Sequence, residues 1–372
     1  MKKNEEKLIT VGIPAFKAQS HISDCLASIQ IQSIKEKIAV VIANDNPGDD
    51  YSFLLKRYPD LEIEILDCEE NGGPGLARQR ALDACKTDWI TFIDADDVFF
   101  TPLSLEALTK GITPDCVEVQ GTFFQEIKDP NHNNIRLAPR NDVTHPWVFG
   151  RLYNVKFLKQ NEIKFTELRA MEDGEFNWKI RMTIEGSQFK INVIDENIYL
   201  WRTGSEHSIT RIGVDDDDDH IPQYNFDLCQ WGATVASIGA IKFCKSKNPF
   251  NGSITRFTTE MMIGQYFTYI ECLGRKPVFA KQNFFNAKRF YHEAYKEIEN
   301  QISEKILSDL YTVQLAGKSR DLIGIIPEIT FFDFMEKIKS EEYGAEEEFK
   351  QIRSELPDKI IQNDIKSGVA TY

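Results

Sequence analysis

Short apolar runs alternate with segments of helical spacing through the first hundred residues, and this alternation is the strongest constraint on the fold. Four runs with strand-like composition are residues 8–13, 38–43, 61–66 and 89–93. Between the first two, apolar residues recur at near-helical spacing from Ile22 to Ile34, and residues 74–86 favour a second helix. Later segments that continue the pattern are strands at 117–127 and 189–194 and a helix after Glu172. Because strand, helix, strand order places parallel strands in one sheet covered by helices, we predict an α/β domain.

Distinctive residues follow three of the predicted strands. These residues are Pro14, Ala15 and Phe16 after the first, Asn44 and Asp45 after the second, and Asp94, Asp96 and Asp97 after the fourth. Ligands of open α/β sheets bind beyond the carboxyl ends of the strands, so we expect these residues to line one crevice. Three carboxylates within four residues repel one another, and Mg²⁺ or Mn²⁺ shared with substrate phosphates commonly offsets this repulsion. Taken alone, the cluster also fits response regulators, dehalogenase-type phosphatases or an exposed turn.

A glycine-rich segment, NGGPGLAR, occupies residues 71–78. Its glycines permit close approach of the backbone to a ligand, and Arg78 is predicted about one turn into the following helix. The segment lacks the Lys-Ser/Thr pair of a P-loop, and no G-x-G-x-x-G pattern follows the first strand. The sequence therefore favours neither a Walker NTPase nor a dinucleotide-binding enzyme.

The composition points to a cytoplasmic protein. There are 58 acidic and 44 basic residues, and the formal net charge of −14 disfavours a general attraction to nucleic acid or anionic lipid. The 7 cysteines form no C-x-x-C pair, which argues against a disulfide framework and for a reducing compartment. We expect no signal peptide, because neither an apolar h-region of adequate length nor a small-residue cleavage site follows Lys2 and Lys3. We expect no membrane span, because no run of eighteen apolar residues occurs.

The pattern changes near residue 215, where five consecutive aspartates occupy positions 215–219. Adjacent like charges favour a solvated loop between domains, although the run could hold a cation. Beyond it, apolar residues repeat at three and four positions from Phe284 to Ile302, and Ile306 and Leu310 continue the stripe. We predict an α/β domain over 1–214 and a mainly helical domain over 225–372. The helical domain could support the first, bind an acceptor or form a homo-oligomer.

Several segments, in this order and spacing, resemble the family-two inverting glycosyltransferases of the GT-A fold. The segments are VGIPAF, IANDNP, NGGPGLARQRAL, FIDADD, GRLYNVKFLKQNEIKF, RAMEDGEF and YLWRTGSEHSIT, within residues 8–212. FIDADD is similar to the Asp-x-Asp signature of the family, and RAMEDGEF to its Glu-Asp motif. Asn44 stands where an aspartate is usual, and Gln79 replaces the usual asparagine. The resemblance implies a Rossmann-like, mostly parallel sheet with helices on both faces.

The resemblance also implies a role for each matching residue. Those implied to surround the nucleotide base and ribose are Pro14, Ala15, Phe16, Asp45 and Arg78. Asp94 is implied to lie near the ribose and the donor sugar, while Asp96 and the adjacent Asp97 are implied to hold Mn²⁺ or Mg²⁺ on the diphosphate. Asp173, preceded by Glu172, is implied to be the general base that takes the proton of the acceptor hydroxyl.

The implied reaction moves a sugar from a nucleoside-diphosphate sugar, such as a UDP-sugar, to an acceptor hydroxyl with inversion at the anomeric carbon. Some family members complete the metal site with a histidine downstream of the base, and His207 is the best candidate for that position. Trp147 and Trp201 could stack on a sugar, although core packing is the commoner use of such residues.

Two alternatives from other classes stay open at this point. One is a module that binds a nucleotide sugar without turnover, and the other is a nucleotidyltransferase of related sheet topology, which would release pyrophosphate. The acceptor could be a saccharide, a lipid-linked group, a protein or a modified DNA base, as in phage glycosyltransferases. The acidic net charge weakens the DNA option.

Overall fold

The computed structural model divides the chain into two compact units. The first comprises residues 1–168 and 172–207, and the second comprises residues 169–171 and 208–372. The residues that the structure describes are 6–128, 135–140, 145–202, 226–248, 252–318, 322–325, 327 and 329–355. His207, the aspartates at 215–219 and the predicted boundary between 214 and 225 lie outside the described residues.

The first unit alternates strands and helices along the chain. Its strands are β1 (Ile9–Ala15), β2 (Ile38–Asn44), β3 (Glu62–Leu66), β4 (Trp89–Phe92), β5 (Val98–Phe99), β6 (Cys116–Lys128), β7 (Ile135–Arg140), β8 (Arg151–Asn154) and β9 (Lys190–Trp201). Its helices are α1 (Ile22–Gln30), α2 (Phe53–Arg57), α3 (Gly73–Ala84), α4 (Ser104–Lys110), α5 (Val155–Gln160) and α6 (Glu172–Ile184). The βαβ organisation predicted from the sequence is confirmed.

The nine strands described in this unit form one sheet in the order β3-β2-β1-β4-β8-β6-β9-β5, with β7 paired to β6. Strands β3, β2, β1 and β4 run parallel, and their registers set Ala15 beside Asn44 and Gly12 beside Phe92. The carboxyl ends of these strands therefore lie along the same edge of the sheet. The segments predicted to line one crevice begin at this edge.

The central strands are apolar on both faces because helices cover the sheet on both sides. Every residue of β4 is buried, and six of the seven residues of β1 are buried. The edge strand β3 instead alternates isoleucine with glutamate, and Glu62 is exposed. The composition of each strand thus reflects how many of its faces are buried.

Strand β9 differs from the prediction. The sequence favoured a strand over 189–194, whereas the strand runs from Lys190 to Trp201. Its second half contains the polar stretch Asp195, Glu196 and Asn197, which hides the pattern, and the register with β6 shifts near Thr122. The extension matters because it brings Tyr199, and Arg202 directly after the strand, into contact with Asp97.

The second unit is helical in its described part. Its helices are α7 (Phe226–Lys247), α8 (Gly252–Arg275), α9 (Ala280–Phe290), α10 (Glu304–Lys318), α11 (Phe331–Ser340) and α12 (Ala345–Ser354). Aromatic rings from α8, α9 and α11 meet in its core, where Tyr269 contacts both Phe284 and Phe334. Lys288 is buried on α9 and donates to Glu348 of α12 at 2.7 Å.

The long apolar stripe of this unit is interrupted, contrary to the continuous helical pattern expected from the sequence. A π-helical turn at Tyr291–Tyr295 follows α9, and a new helix starts after Ser303. The Ser303 hydroxyl accepts from the backbone N–H of Ile306 at 3.3 Å, as an N-cap does. The prediction that Ile306 continues the buried stripe is wrong, since its side chain is 48% exposed.

Among the described residues, no helix has both the length and the apolar character needed to cross a membrane.

Candidate active site

Asp45, at the carboxyl end of β2, fixes the glycine-rich segment. Its two carboxylate oxygens accept from the backbone N–H groups of Gly72 at 3.1 Å and Gly73 at 2.7 Å. Arg80 donates to the same carboxylate at 3.0 Å. The sequence predicted that Asp45 surrounds a nucleotide. In the structure it holds the loop that begins α3, and contact with a nucleotide stays a prediction.

The start of α3 lies very close to the segment that leads to α6. Gly73 has φ of +83°, a value that favours glycine. A Cβ on Gly75 would lie 2.1 Å from the carbonyl oxygen of Thr166 and 3.1 Å from Cγ of Glu172. Glycine at position 75 therefore allows the first turns of α3 and α6 to approach.

This approach brings Arg78 between two carboxylates. Its guanidinium donates to Oδ1 of Asp94 at 2.7 Å and to the Glu172 carboxylate, and only 7% of the Arg78 side chain is exposed. Burial alone would lower the pKa of Arg78, but Asp94, Glu172 and Asp173 outweigh it and raise the pKa. Arg78 thus joins the Asp-x-Asp segment to the Glu-Asp motif. Its contact with the base and ribose of a nucleotide stays a prediction.

Asp173 is a carboxyl whose pKa is raised toward neutral pH. It lies in the first turn of α6, and its Oδ1 accepts from the N–H of Gly174 at 2.7 Å. Desolvation by the surrounding protein atoms, and then the charge of Glu172, raise its pKa to about 8. Burial likewise raises the pKa of Glu172, although Arg78 opposes the shift. A carboxyl that titrates near neutral pH is suited to accept a proton in a reaction.

Asp97 is held by strand β9. It is 2% exposed, and its two oxygens accept from the Tyr199 hydroxyl and from the backbone N–H of Arg202, the latter at 2.7 Å. Burial raises the pKa of Asp97 well above its ordinary value, and the charges of Asp96 and Asp94 raise it further. Both oxygens of Asp97 already have partners from the protein, which fits a supporting position beside Asp96.

Asp96 is half-buried in the same turn, between Asp94 and Asp97. Carboxylate oxygens are the ligands that Mg²⁺ and Mn²⁺ prefer, so the chemistry of this segment fits such a cation. Within the described ranges, no group of three or more His, Cys, Asp or Glu side chains is arranged to hold a metal ion. The protein would then supply one or two carboxylates and the substrate phosphates the rest. His207 lies outside the described residues and stays a prediction.

The end of β1 completes this edge of the sheet. Ala15 is buried and its carbonyl accepts from the N–H of Asp45 at 2.7 Å, while Pro14 is half-buried. The Phe16 ring is 40% exposed, and the Lys17 ammonium lies 5.1 Å from its centre. An exposed aromatic ring at a strand end offers a face on which a planar base could stack.

The family follows from a comparison with models of known protein families. Residues 10–173 match the model described as glycosyl transferase family 2, and this range contains all the strand ends and the Asp173 position. The matched region, which makes up most of the first unit, belongs to glycosyl transferase family 2.

Curated relatives of this family 2 unit include two bacterial glycosyltransferases. The chain is 24% identical over 218 residues to glycosyltransferase GlyA of Streptococcus pneumoniae, which is 52% of this chain and 30% of that protein. It is 24% identical over 251 residues to poly(ribitol-phosphate) beta-glucosyltransferase of Bacillus spizizenii, 63% of this chain and 37% of that protein. The chain thus spans about a third of the length of these two relatives.

A solved structure shares the fold. The crystal structure of Staphylococcus aureus TarS 1-349 in complex with UDP-GlcNAc superposes with a TM-score of 0.60 at 16% identity, covering 82% of this chain and 87% of that one. The likeness shows the fold, which is the predicted GT-A glycosyltransferase fold with a helical C-terminal region.

Two departures from the family 2 pattern have structural reasons. The Asn44 amide donates to Oδ1 of Asp67 at 2.9 Å and to the carbonyl of Asp49 at 3.1 Å, so an aspartate at position 44 would face another carboxylate. Gln79 accepts from the N–H of Phe165 at 2.9 Å and donates to Asp83 at 2.8 Å. Both residues hold neighbouring loops in place.

Three contacts at this edge of the family 2 unit were not predicted from the sequence. These are the ion pair of Arg78 with Glu172, the hydrogen bond of Arg80 to Asp45 and the contact of Tyr199 with Asp97. The two residues of each pair are 94, 35 and 102 positions apart in the sequence, so no local pattern predicts that they meet. Only Tyr199 had a usable signal, as a tyrosine within the matched YLWRTGSEHSIT segment.

Proposed function

We propose that the chain is an inverting glycosyltransferase that moves a sugar from a UDP-sugar to an acceptor hydroxyl. The observation that carries the proposal is the position of Asp173 in the first turn of α6, next to Glu172, which Arg78 joins to Asp94 after the end of β4. Burial and the charge of Glu172 raise the pKa of Asp173 there, as a general base requires. The spans shared with two relatives that are named as glycosyltransferases support the same reaction class.

The donor half of the proposal places the nucleotide along the ends of β1, β2 and β4. Phe16 would stack on the base, and Asp94 would lie toward the ribose with its carboxylate oriented by Arg78. Asp96 would face the diphosphate. A divalent cation bound there supplies positive charge against which the departing diphosphate is stabilised.

The acceptor half of the proposal rests on Asp173. Its carboxylate would take the proton of the acceptor hydroxyl while the oxygen attacks the anomeric carbon from the face opposite the diphosphate. The diphosphate leaves without protonation, so a single base suffices. Glu172 would act through Arg78 and not on the substrate, because its carboxylate is already committed to the guanidinium.

Metal removal tests the donor half. We expect UDP to bind far more tightly in the presence of Mn²⁺ than in EDTA, because Asp94, Asp96 and Asp97 concentrate negative charge where the diphosphate would lie. Calorimetric titration of UDP with and without Mn²⁺ measures this, and Asp96→Asn should abolish the difference. Asp83→Asn, a carboxylate on α3 bonded to Gln79, is the matched control and should leave the difference unchanged. Equal UDP affinity in both conditions would contradict the metal role.

The pH dependence of donor hydrolysis tests the acceptor half. The base must be deprotonated to act, so kcat/KM should rise about tenfold per pH unit below the Asp173 pKa of about 8 and level off above it. Measuring UDP release across this range in constant ionic strength reports the profile. A rate that stays flat from mildly acidic to alkaline pH would remove Asp173 as the titrating base.

A further inference from the structure

Tyr199, a side chain of β9, contacts the turn that carries Asp94, Asp96 and Asp97. The Tyr199 hydroxyl donates to Oδ2 of Asp97 and accepts from the backbone N–H of Asp94 at 3.3 Å. It therefore touches both ends of the four-residue turn. A second tie comes from the backbone N–H of Arg202, which donates to the other oxygen of Asp97 at 2.7 Å.

The Tyr199 ring is itself held rigidly. It is fully buried and stacks on Phe149 with ring centres 4.4 Å apart and planes 10° from parallel. Tyr199 pairs through the backbone with Phe99, two residues beyond Asp97, so strand pairing and side chain act on the same segment. A ring that is packed and paired in this way can fix the position of its hydroxyl closely.

We propose that Tyr199 is a positioning residue that orients the Asp94–Asp97 turn, so that Asp96 alone is directed at the cation and the diphosphate. This inference rests on the proposed function and adds to it a residue that would touch neither substrate nor metal. In this arrangement Asp97 would accept the hydrogen bonds from Tyr199 and Arg202 and would not bind the cation.

The geometry favours different roles for Asp96 and Asp97. Asp97 is 2% exposed, and both of its oxygens accept hydrogen bonds, whereas Asp96 is half-buried in the same turn. Groups that orient a metal ligand by hydrogen bonding typically change metal affinity by about 10- to 100-fold when they are removed. Removing the Tyr199 hydroxyl should therefore weaken the metal site without emptying the nucleotide site.

The test is Tyr199→Phe in the full chain, which removes the hydroxyl and keeps the packed ring. Manganese binding in the presence of UDP, followed by electron paramagnetic resonance of Mn²⁺, should weaken about 10- to 100-fold. UDP affinity in EDTA should stay unchanged, and excess Mn²⁺ should restore UDP binding. Tyr58→Phe is the matched control, because its buried hydroxyl donates to the Ser23 carbonyl at 2.6 Å and should leave Mn²⁺ affinity unchanged.

A double-mutant cycle with Asp97→Asn separates positioning from direct coordination. If Tyr199 acts through Asp97, Tyr199→Phe should add little to the loss caused by Asp97→Asn. Additive losses, or Mn²⁺ affinity in Tyr199→Phe equal to that of the unchanged chain, would overturn the inference.

Hydrogen exchange of the segment around Asp94 gives a readout that needs no metal. It should be faster in Tyr199→Phe than in Tyr58→Phe, and equal protection in the two variants would overturn the inference. An unchanged chain that binds no Mn²⁺ with UDP would overturn the proposed function and the metal part of this inference together. In that case hydrogen exchange would still decide whether Tyr199 holds the turn.

Discussion

Asp173→Asn is expected to lower UDP release from a UDP-sugar about 10²–10⁴-fold while leaving UDP binding with Mn²⁺ unchanged. Asparagine keeps the shape of the side chain and a hydrogen-bond acceptor for Gly174, but it cannot take a proton at neutral pH. Hydrolysis by water also requires deprotonation of the nucleophile, so the assay needs no knowledge of the acceptor.

Two controls separate lost chemistry from lost folding. Glu172→Gln, in the same helical turn, should cost much less activity, because glutamine still accepts from Arg78. The raised pKa of Asp173 means that folding favours its protonated form. The stability that this protonated form contributes is therefore lost as pH rises through about 8. Above this pH, Asp173→Asn should unfold at a denaturant concentration equal to or higher than that of the unchanged chain. A larger activity loss in Glu172→Gln than in Asp173→Asn would move the base to Glu172.

Arg78→Met is expected to lower the free energy of unfolding by about 3–5 kcal/mol and to abolish measurable UDP release. The change removes the cation between two carboxylates and leaves Glu172, whose side chain is 6% exposed, as an unpaired buried charge. Most of the stability loss should come from Glu172, because Asp94 is 37% exposed and is partly screened by water. Urea unfolding followed by circular dichroism measures the loss.

The loss in Arg78→Met should be larger at alkaline pH than at acidic pH, where the unpaired carboxylates can take up protons. Arg80→Met, two residues further along the same helix, is the matched control. The Arg80 side chain is 28% exposed and its guanidinium pairs with Asp45, so its replacement should cost less stability. The stability loss in Arg78→Lys should lie between the losses in Arg78→Met and Arg80→Met. Lysine keeps the positive charge, but its ammonium cannot bond both Asp94 and Glu172 as the planar guanidinium does. Arg78→Met with the stability of the unchanged chain would show that the three-residue network contributes nothing.

Much of the fold was predictable because local pattern and global topology agree in the first hundred residues. The strands that end at Ala15, Asn44 and Phe92 are short apolar runs stopped by polar residues, and their common edge follows from the parallel arrangement. The second half of β9 and the start of α10 were harder to place. Polar residues in the middle of β9 hide its strand pattern. The N-cap at Ser303 leaves the apolar period of the helical region nearly unchanged, so the sequence does not show that a new helix starts there.

The candidate site was predictable in its residue types but not in its pairings. Asp94, Asp96 and Asp97 stand out because three carboxylates in one turn require compensation. The partner that Arg78 finds in Glu172 depends on how close α3 and α6 approach, and that distance is set by packing at Gly75. Contacts between residues so distant in sequence follow from the three-dimensional fold, and no spacing rule within one segment encodes them.

The stereochemistry of donor hydrolysis tests the central claim most directly. The chain would be incubated with UDP-α-glucose or UDP-α-N-acetylglucosamine and Mn²⁺, and the products would be followed by proton NMR before the free sugar mutarotates. Asp173→Asn serves as the blank. Inversion by attack opposite the diphosphate predicts that the β anomer appears first, together with UDP, and that neither product forms in the blank. Initial release of the α anomer, release of pyrophosphate in place of UDP, or full turnover by Asp173→Asn would contradict the account.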